Sequence, residues 1–100
     1  LILPRIKTHP GEVLREEFMR PLKISANALA RDLHVPPNRI STIIAEHDPR
    51  SVTADTAIRL GRYFGTTPEF WLNLQRAHDL SVAEAKNRDE IERYVHPRAA

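Results

Sequence analysis

The tightest constraint on this chain is a pair of short stretches with helical apolar spacing, separated by only three residues, His34-Val35-Pro36. Ser25 is a good N-cap for the first, because its hydroxyl can take a backbone N–H that has no partner inside the helix. Within residues 26–33, Leu29, Ala30 and Leu33 form a narrow apolar face. Pro37 opens the second stretch, since proline suits the first helical position, where no N–H is needed. Ile40, Ile43 and Ile44 then repeat at three and four. Helices joined so closely must cross steeply, and the small side chain of Ala30 suits the point where their backbones approach.

The same start and stop chemistry divides the rest. Residues 1–9 read as an extended leader. Pro10 and Glu12 open a helix whose buried side is Val13, Leu14, Phe18 and Met19, and Pro21 is expected to stop it. Residues 45–52 form a polar loop. Thr53 caps the next helix, with Asp55 in its first turn, a buried side of Ala57, Ile58, Leu60, Tyr63 and Phe64, and Gly65 as a left-handed C-cap. Thr67-Pro68-Glu69 starts a helix running to about His78, with Phe70, Trp71, Leu74 and Ala77 as its apolar positions. Ser81 caps a final amphipathic segment in which Val82, Ala85, Ile91 and Val95 are expected to be buried. The chain contains only three glycines, which disfavours a turn-rich β fold. The reading is all-α: five helices in a domain over residues 10–80, and a helical C-terminal segment over 81–100 as a candidate dimer or partner contact.

Several function classes drop out. The chain has no cysteine, which removes disulfides, thiolate catalysis and sulfur-ligated metals. The histidines His9, His34, His47, His78 and His96 show no ligand spacing, so neither a metal nor another cofactor is expected. Adjacent Glu16 and Glu17 diverge on a helix and make a poor acid–base pair, and no nucleophile triad or phosphate-binding glycine loop occurs, so the chain is not read as an enzyme. Phe70 and Trp71 could stack bases in a single-strand binder, but at helical spacing with Leu74 they read as core. No apolar run is long enough for a membrane span or a signal peptide, which makes a cytoplasmic location the simplest expectation. Leu1 is not an initiator methionine, so native residues are expected ahead of it. Net charge is +2, too small to identify a partner by itself. Its distribution says more: residues 1–50 carry eight basic and six acidic groups, whereas 51–100 carry seven of each, so a basic face belongs in the N-terminal half.

Two helices joined by a short turn, with Leu29, Ala30, Val35, Ile40 and Ile43 between them, are what a helix-turn-helix requires. Its first helix crosses the DNA backbone and its second enters the major groove. The exposed start of that second helix is Pro37, Asn38 and Arg39, followed by Ser41 and Thr42. Asn can pair bidentately with adenine, Arg with guanine, and a Thr methyl can touch a thymine methyl. On spacing alone, the same residues serve equally well as the solvated face of an ordinary helix pair.

The run His9-Pro10-Gly11-Glu12-Val13-Leu14-Arg15-Glu16-Glu17-Phe18 resembles the opening of HigA-type, VapI-like antitoxins, a branch of the lambda-repressor-like helix-turn-helix family. Further similar stretches are Ser25 to Ala30, Val35 to Ser41, Thr53 to Leu60 and Phe64 to Gln75, in order over roughly residues 9–80. The resemblance places Pro37, Asn38, Arg39, Ser41 and Thr42 in the groove, and Ala26 at a position that contacts the DNA backbone or a base. Asn27, Arg31 and Arg50 join Ala26 as candidates for the backbone, with Arg15 as a further one. Three departures stand out. Ala26 replaces a usual glutamine and cannot donate its bond. His34 occupies a turn position commonly held by glycine, where a side chain is strained. The loop after the second helix is longer than usual and carries Glu46 and Asp48, two acids that would repel phosphates, with Arg50 as a partial offset.

What the resemblance implies is an antitoxin that neutralises a RelE-like ribonuclease toxin and represses its own promoter as a homodimer on double-stranded operator DNA. Two-fold symmetry would double the small surface that one recognition helix offers. A repressor without a toxin partner, or a protein-interaction module with little DNA binding, are the competing readings.

Overall fold

The computed structural model describes residues 5–99. Among them the elements are α1 (Pro10–Val13), a π-helical turn (Leu14–Met19), α2 (Arg20–Leu22), α3 (Ala26–Leu33), α4 (Pro37–Ile43), α5 (Ala54–Phe64) and α6 (Pro68–Tyr94). The first three run on as one rod over residues 10–22, so the architecture is five helical rods whose last extends beyond the domain body. This is the expected all-α class.

Local chemistry sets the helix starts. Ser25 Oγ accepts from Ala28 N–H at 3.1 Å, Thr53 Oγ1 from Thr56 N–H at 3.4 Å, and Thr67 Oγ1 from Phe70 N–H at 3.1 Å. Pro10, Pro37 and Pro68 occupy first-turn positions. Three helices end in the left-handed region, at Lys23, His34 and Gly65. At His34 (φ 58°), its own N–H reaches Arg31 O and the Val35 N–H reaches Ala30 O. That is a Schellman end built on histidine instead of glycine, the strained turn expected from the sequence.

Pro21 does not stop the first rod, contrary to the sequence expectation. A proline in a regular helix clashes with the carbonyl four residues back. Here the π turn widens the backbone ahead of the ring, with Arg20 N–H donating to Arg15 O, five residues back. Pro21 then falls in the first turn of α2, where its missing donor costs nothing.

The split near His78 is also corrected: α6 is a single helix of 27 residues, and Ser81 lies in its interior. Its hydroxyl donates to His78 O and accepts from Lys7 N–H, so it serves as a tie instead of a cap. Val82, Ala85, Ile91 and Val95 are exposed, not buried, because few described residues pack against the helix after Ser81.

The core is centred on Leu14, Leu29, Ala30, Ile40, Ala57, Leu60 and Trp71, all without solvent contact. Phe18 and Phe70 flank Trp71, and Phe18 also meets Phe64, in one aromatic cluster. Ile58 and Tyr63 were expected inside, yet both are exposed, as are Phe70 and Ala77. The inward stripe of α5 is Thr56, Ala57, Leu60 and Gly61, and Ile58 sits well round the helix from it. Val52 is buried in the loop, and its N–H donates to buried Gln75 Oε1 at 2.7 Å, which ties the loop to α6. No helix among the described residues is long and apolar enough to cross a membrane.

Of the leader, residues 1–4 lie outside the described residues, and residues 7–9 lie against α6. Lys7 N–H donates to Ser81 Oγ, and Lys7 O lies 2.8 Å from His78 Nδ1. His9 is buried, caps α1 by accepting from Gly11 N–H at 2.9 Å through Nδ1, and packs edge-on against His78. Burial pulls the His9 pKa below its ordinary 6.5; His78 acts the same way and Asp79 opposes it. The cap itself needs a neutral ring, because a proton on Nδ1 would face the Gly11 N–H.

Since the folded value lies below the unfolded one, the unfolded chain takes up the proton first on acidification. The His9 contribution is therefore complete above the unfolded value and is lost as pH falls through the folded one. Tm should fall as pH drops from about 7.5 to about 5.5, and His9→Asn, which keeps a capping oxygen without titrating, should flatten that slope. Equal slopes for the two proteins would rule out His9 as the source.

Candidate nucleic-acid interface

Helix α3 packs on α4 through the tight turn, with Ala30 and Ile40 both fully buried at the crossing. Burying the apolar side of α4 turns its polar residues outward. Pro37, Asn38 and Ser41 are exposed, and Arg39 and Thr42 are half-buried. Asn38, Arg39 and Thr42 line a groove of about 480 Å³ together with Arg50, Thr53 and Asp55. The loop is held there by Arg50 N–H donating to Thr42 O at 2.9 Å. Thr42 Oγ1 donates back to Asn38 O at 2.7 Å, which leaves its lone pairs and methyl group for an outside partner.

Arg39 does not project alone. Its Nη1 lies 3.1 Å from Asp55 Oδ2, and the Arg59 Nε donates to that same oxygen at 3.0 Å. Arg59 also donates through Nη1 to Leu33 O at 2.8 Å, at the end of α3. These half-exposed ion pairs add little to stability, but they define where the guanidinium groups sit.

The remaining candidates are dispersed. Ala26 is half-buried at the start of α3, beside a separate depression that includes Arg20, Lys23 and Ser25. Asn27 and Arg31 are exposed on α3, outside the α4 groove. Glu46 and Asp48 are exposed and do not line the groove, so the two acids of the long loop sit apart from it.

No family model matches the chain. Comparison with individual proteins is decisive. The chain is 57% identical over 76 residues to virulence-associated protein I of Dichelobacter nodosus, covering 76% of this chain and 68% of that protein. It is 41% identical over 87 residues to antitoxin HigA-1 of Vibrio cholerae, covering 87% of this chain and 79% of that one. The chain belongs to the HigA-type, VapI-like antitoxins of the helix-turn-helix family. Among solved structures, the antitoxin GraA in complex with its operator superposes on this HigA-type chain with a TM-score of 0.88 at 46% identity, covering all of this chain and 99% of that one. The family is a non-catalytic one. Among the described residues, no group of His, Asp and Glu is placed to hold a metal.

Arg15, the further phosphate candidate, lines the depression beside Ala26 and has a second task in this HigA-type fold: its Nη1 donates to Ile44 O at the end of α4, and its Nε pairs with Glu16 at 2.9 Å. A cation there completes carbonyls that the helix leaves open. Sequence reasoning missed three features. The sequence places Asp55 only at a helix start and offers no role for Arg59, because sixteen residues separate Arg39 from Asp55. The third is the pair Arg20 and Lys23 beside the start of α3, for which two cations flanking the Ser25 cap were the available signal.

Proposed function

We propose that this chain is a cytoplasmic, DNA-binding antitoxin that grips double-stranded operator DNA as a homodimer, represses its own promoter and neutralises a RelE-like ribonuclease toxin. The observation that carries the reading is the groove along α4, where Asn38, Arg39, Thr42 and Arg50 converge on one exposed face. The operator complex of a relative with 46% identity supports the DNA partner; family membership supports the toxin.

In this reading residues 10–80 form the DNA-binding unit, and residues 81–100 contact the sister subunit or the toxin. Pro37, Asn38, Arg39, Ser41 and Thr42 meet the major groove, with Asn38, Arg39 and Thr42 reading bases. Ala26, Asn27, Arg31 and Arg50 lie along the backbone, Ala26 through its main chain.

The test is a titration of the purified protein against its own promoter and a scrambled duplex at two salt concentrations. Promoter-selective binding at both salts is expected. Arg39→Ala should cost about 1–3 kcal/mol on the promoter and relax preference at one base position. Uniform weakening on every duplex would assign Arg39 to phosphate contact instead. No binding to either duplex would favour a protein-interaction module.

A further inference from the structure

We infer that Asp55, which lies on α5 outside the helix-turn-helix, is a positioning residue that sets how Arg39 is presented to DNA and thereby the base preference of α4. The inference rests on the operator-binding reading above. One carboxylate oxygen, Asp55 Oδ2, takes Arg39 Nη1 at 3.1 Å and Arg59 Nε at 3.0 Å. Arg59 is itself anchored, because its Nη1 reaches Leu33 O at 2.8 Å and His34 O at 3.4 Å. A chain of contacts thus runs from the end of α3, through two residues of α5, to the start of α4. Asp55 is a fixed post, since its second guanidinium partner is tied to the main chain of the turn.

A free arginine samples many rotamers and loses that freedom on binding. Here the tie engages Nη1, and the edge formed by Nε and Nη2 is the one suited to two parallel N–H bonds. Bidentate recognition of guanine O6 and N7 needs such an edge, held at one angle. Asp55 is also a negative charge in a groove proposed to face phosphates, so its direct effect on any duplex is repulsive. The two effects oppose each other: Asp55 lowers general affinity while sharpening discrimination. A residue with only a structural role would not separate these readouts.

The experiment measures binding of the full chain and of Asp55→Asn, Arg39→Ala and the double variant to the promoter duplex and a scrambled duplex of the same composition. Each is measured at two salt concentrations, with Tm recorded for each protein. Asp55→Asn should bind the scrambled duplex several-fold more tightly and lower the promoter-to-scrambled ratio about tenfold, within the range carried by one bidentate pair. Its Tm should stay near that of the parent, because the ion pair is half-exposed. In the Arg39→Ala background the same substitution should leave the ratio unchanged. If the parent discriminates and Asp55→Asn keeps the same ratio, the inference fails while operator binding stands. An equal drop in ratio with and without Arg39 overturns it as well. A parent that does not discriminate removes the operator reading and this inference together.

Discussion

Trp71→Ala should lower the unfolding free energy by about 3–5 kcal/mol, the range for truncating a fully buried large aromatic. Trp71 has no solvent contact, and its ring centroid lies 5.2 Å from Phe18 and 5.0 Å from Phe70. Phe18 in turn lies 4.9 Å from Phe64. The cluster joins the first rod, α5 and α6, so the cavity left by truncation would open where three elements meet and none can collapse into it alone. The indole N–H also donates to Thr66 Oγ1 at 2.8 Å, in the link between α5 and α6. Because domains of this size are stable by only about 5–15 kcal/mol, the variant should be close to unfolding at ordinary temperatures. Trp71→Phe, which keeps a ring but loses the hydrogen bond, should cost markedly less. Urea titration followed by circular dichroism measures both, since Trp71 is the single tryptophan and its fluorescence disappears in each variant. A loss below about 1.5 kcal/mol for the alanine variant would mean that the cluster repacks, which a jigsaw core does not allow.

Gly11→Ala is the second large effect, and its sign is the informative part. In an ordinary helix the change stabilises by roughly 0.5–1 kcal/mol, because alanine loses less conformational freedom on folding. Here a Cβ on Gly11 would stand 1.9 Å from Ile43 O and 2.8 Å from Ile43 C, both backbone atoms at the end of α4. No rotamer change relieves that overlap, so α1 and α4 would have to move apart. The His9 cap on the Gly11 N–H and the Arg15 bond to Ile44 O lie in the same contact and would be disturbed with it. Overpacking of this kind is expected to cost about 3 kcal/mol, the upper part of its usual range. A Gly11→Ala protein that melts higher than the parent would show that helix propensity outweighs the close approach. A destabilised protein that still binds the promoter at full affinity once saturated would show that α4 keeps its place while α1 yields.

Much of the fold was legible in the chain because its signals are local. Ser25, Thr53 and Thr67 each bond a backbone N–H three residues on, and Pro10, Pro37 and Pro68 need only their own ring geometry. The crossing of α3 and α4 was legible for the same reason, since a three-residue turn leaves little choice. The exposed residues at the start of α4 followed from adjacency, and Asn38, Arg39 and Thr42 do share one groove. Signals that depend on neighbours failed. Pro21 reads as a stop until the π turn makes room for it. Ile58 reads as core until the rods leave its side of α5 uncovered, and Ser81 reads as a cap until the leader reaches it. Val82, Ala85, Ile91 and Val95 form an apolar pattern that few described residues approach.

By itself, then, the sequence determined the helical class, where most helices begin, the helix-turn-helix and the polar face that α4 presents. Each of these is set by hydrogen bonds and periodicity within a few residues of chain. Tertiary structure alone decided that Arg15 closes the end of α4, that Gly11 must have no side chain, and that Asp55 holds Arg39. Those contacts join residues 16 to 32 positions apart, and no local propensity encodes which distant atoms the packing of the helices will bring into contact.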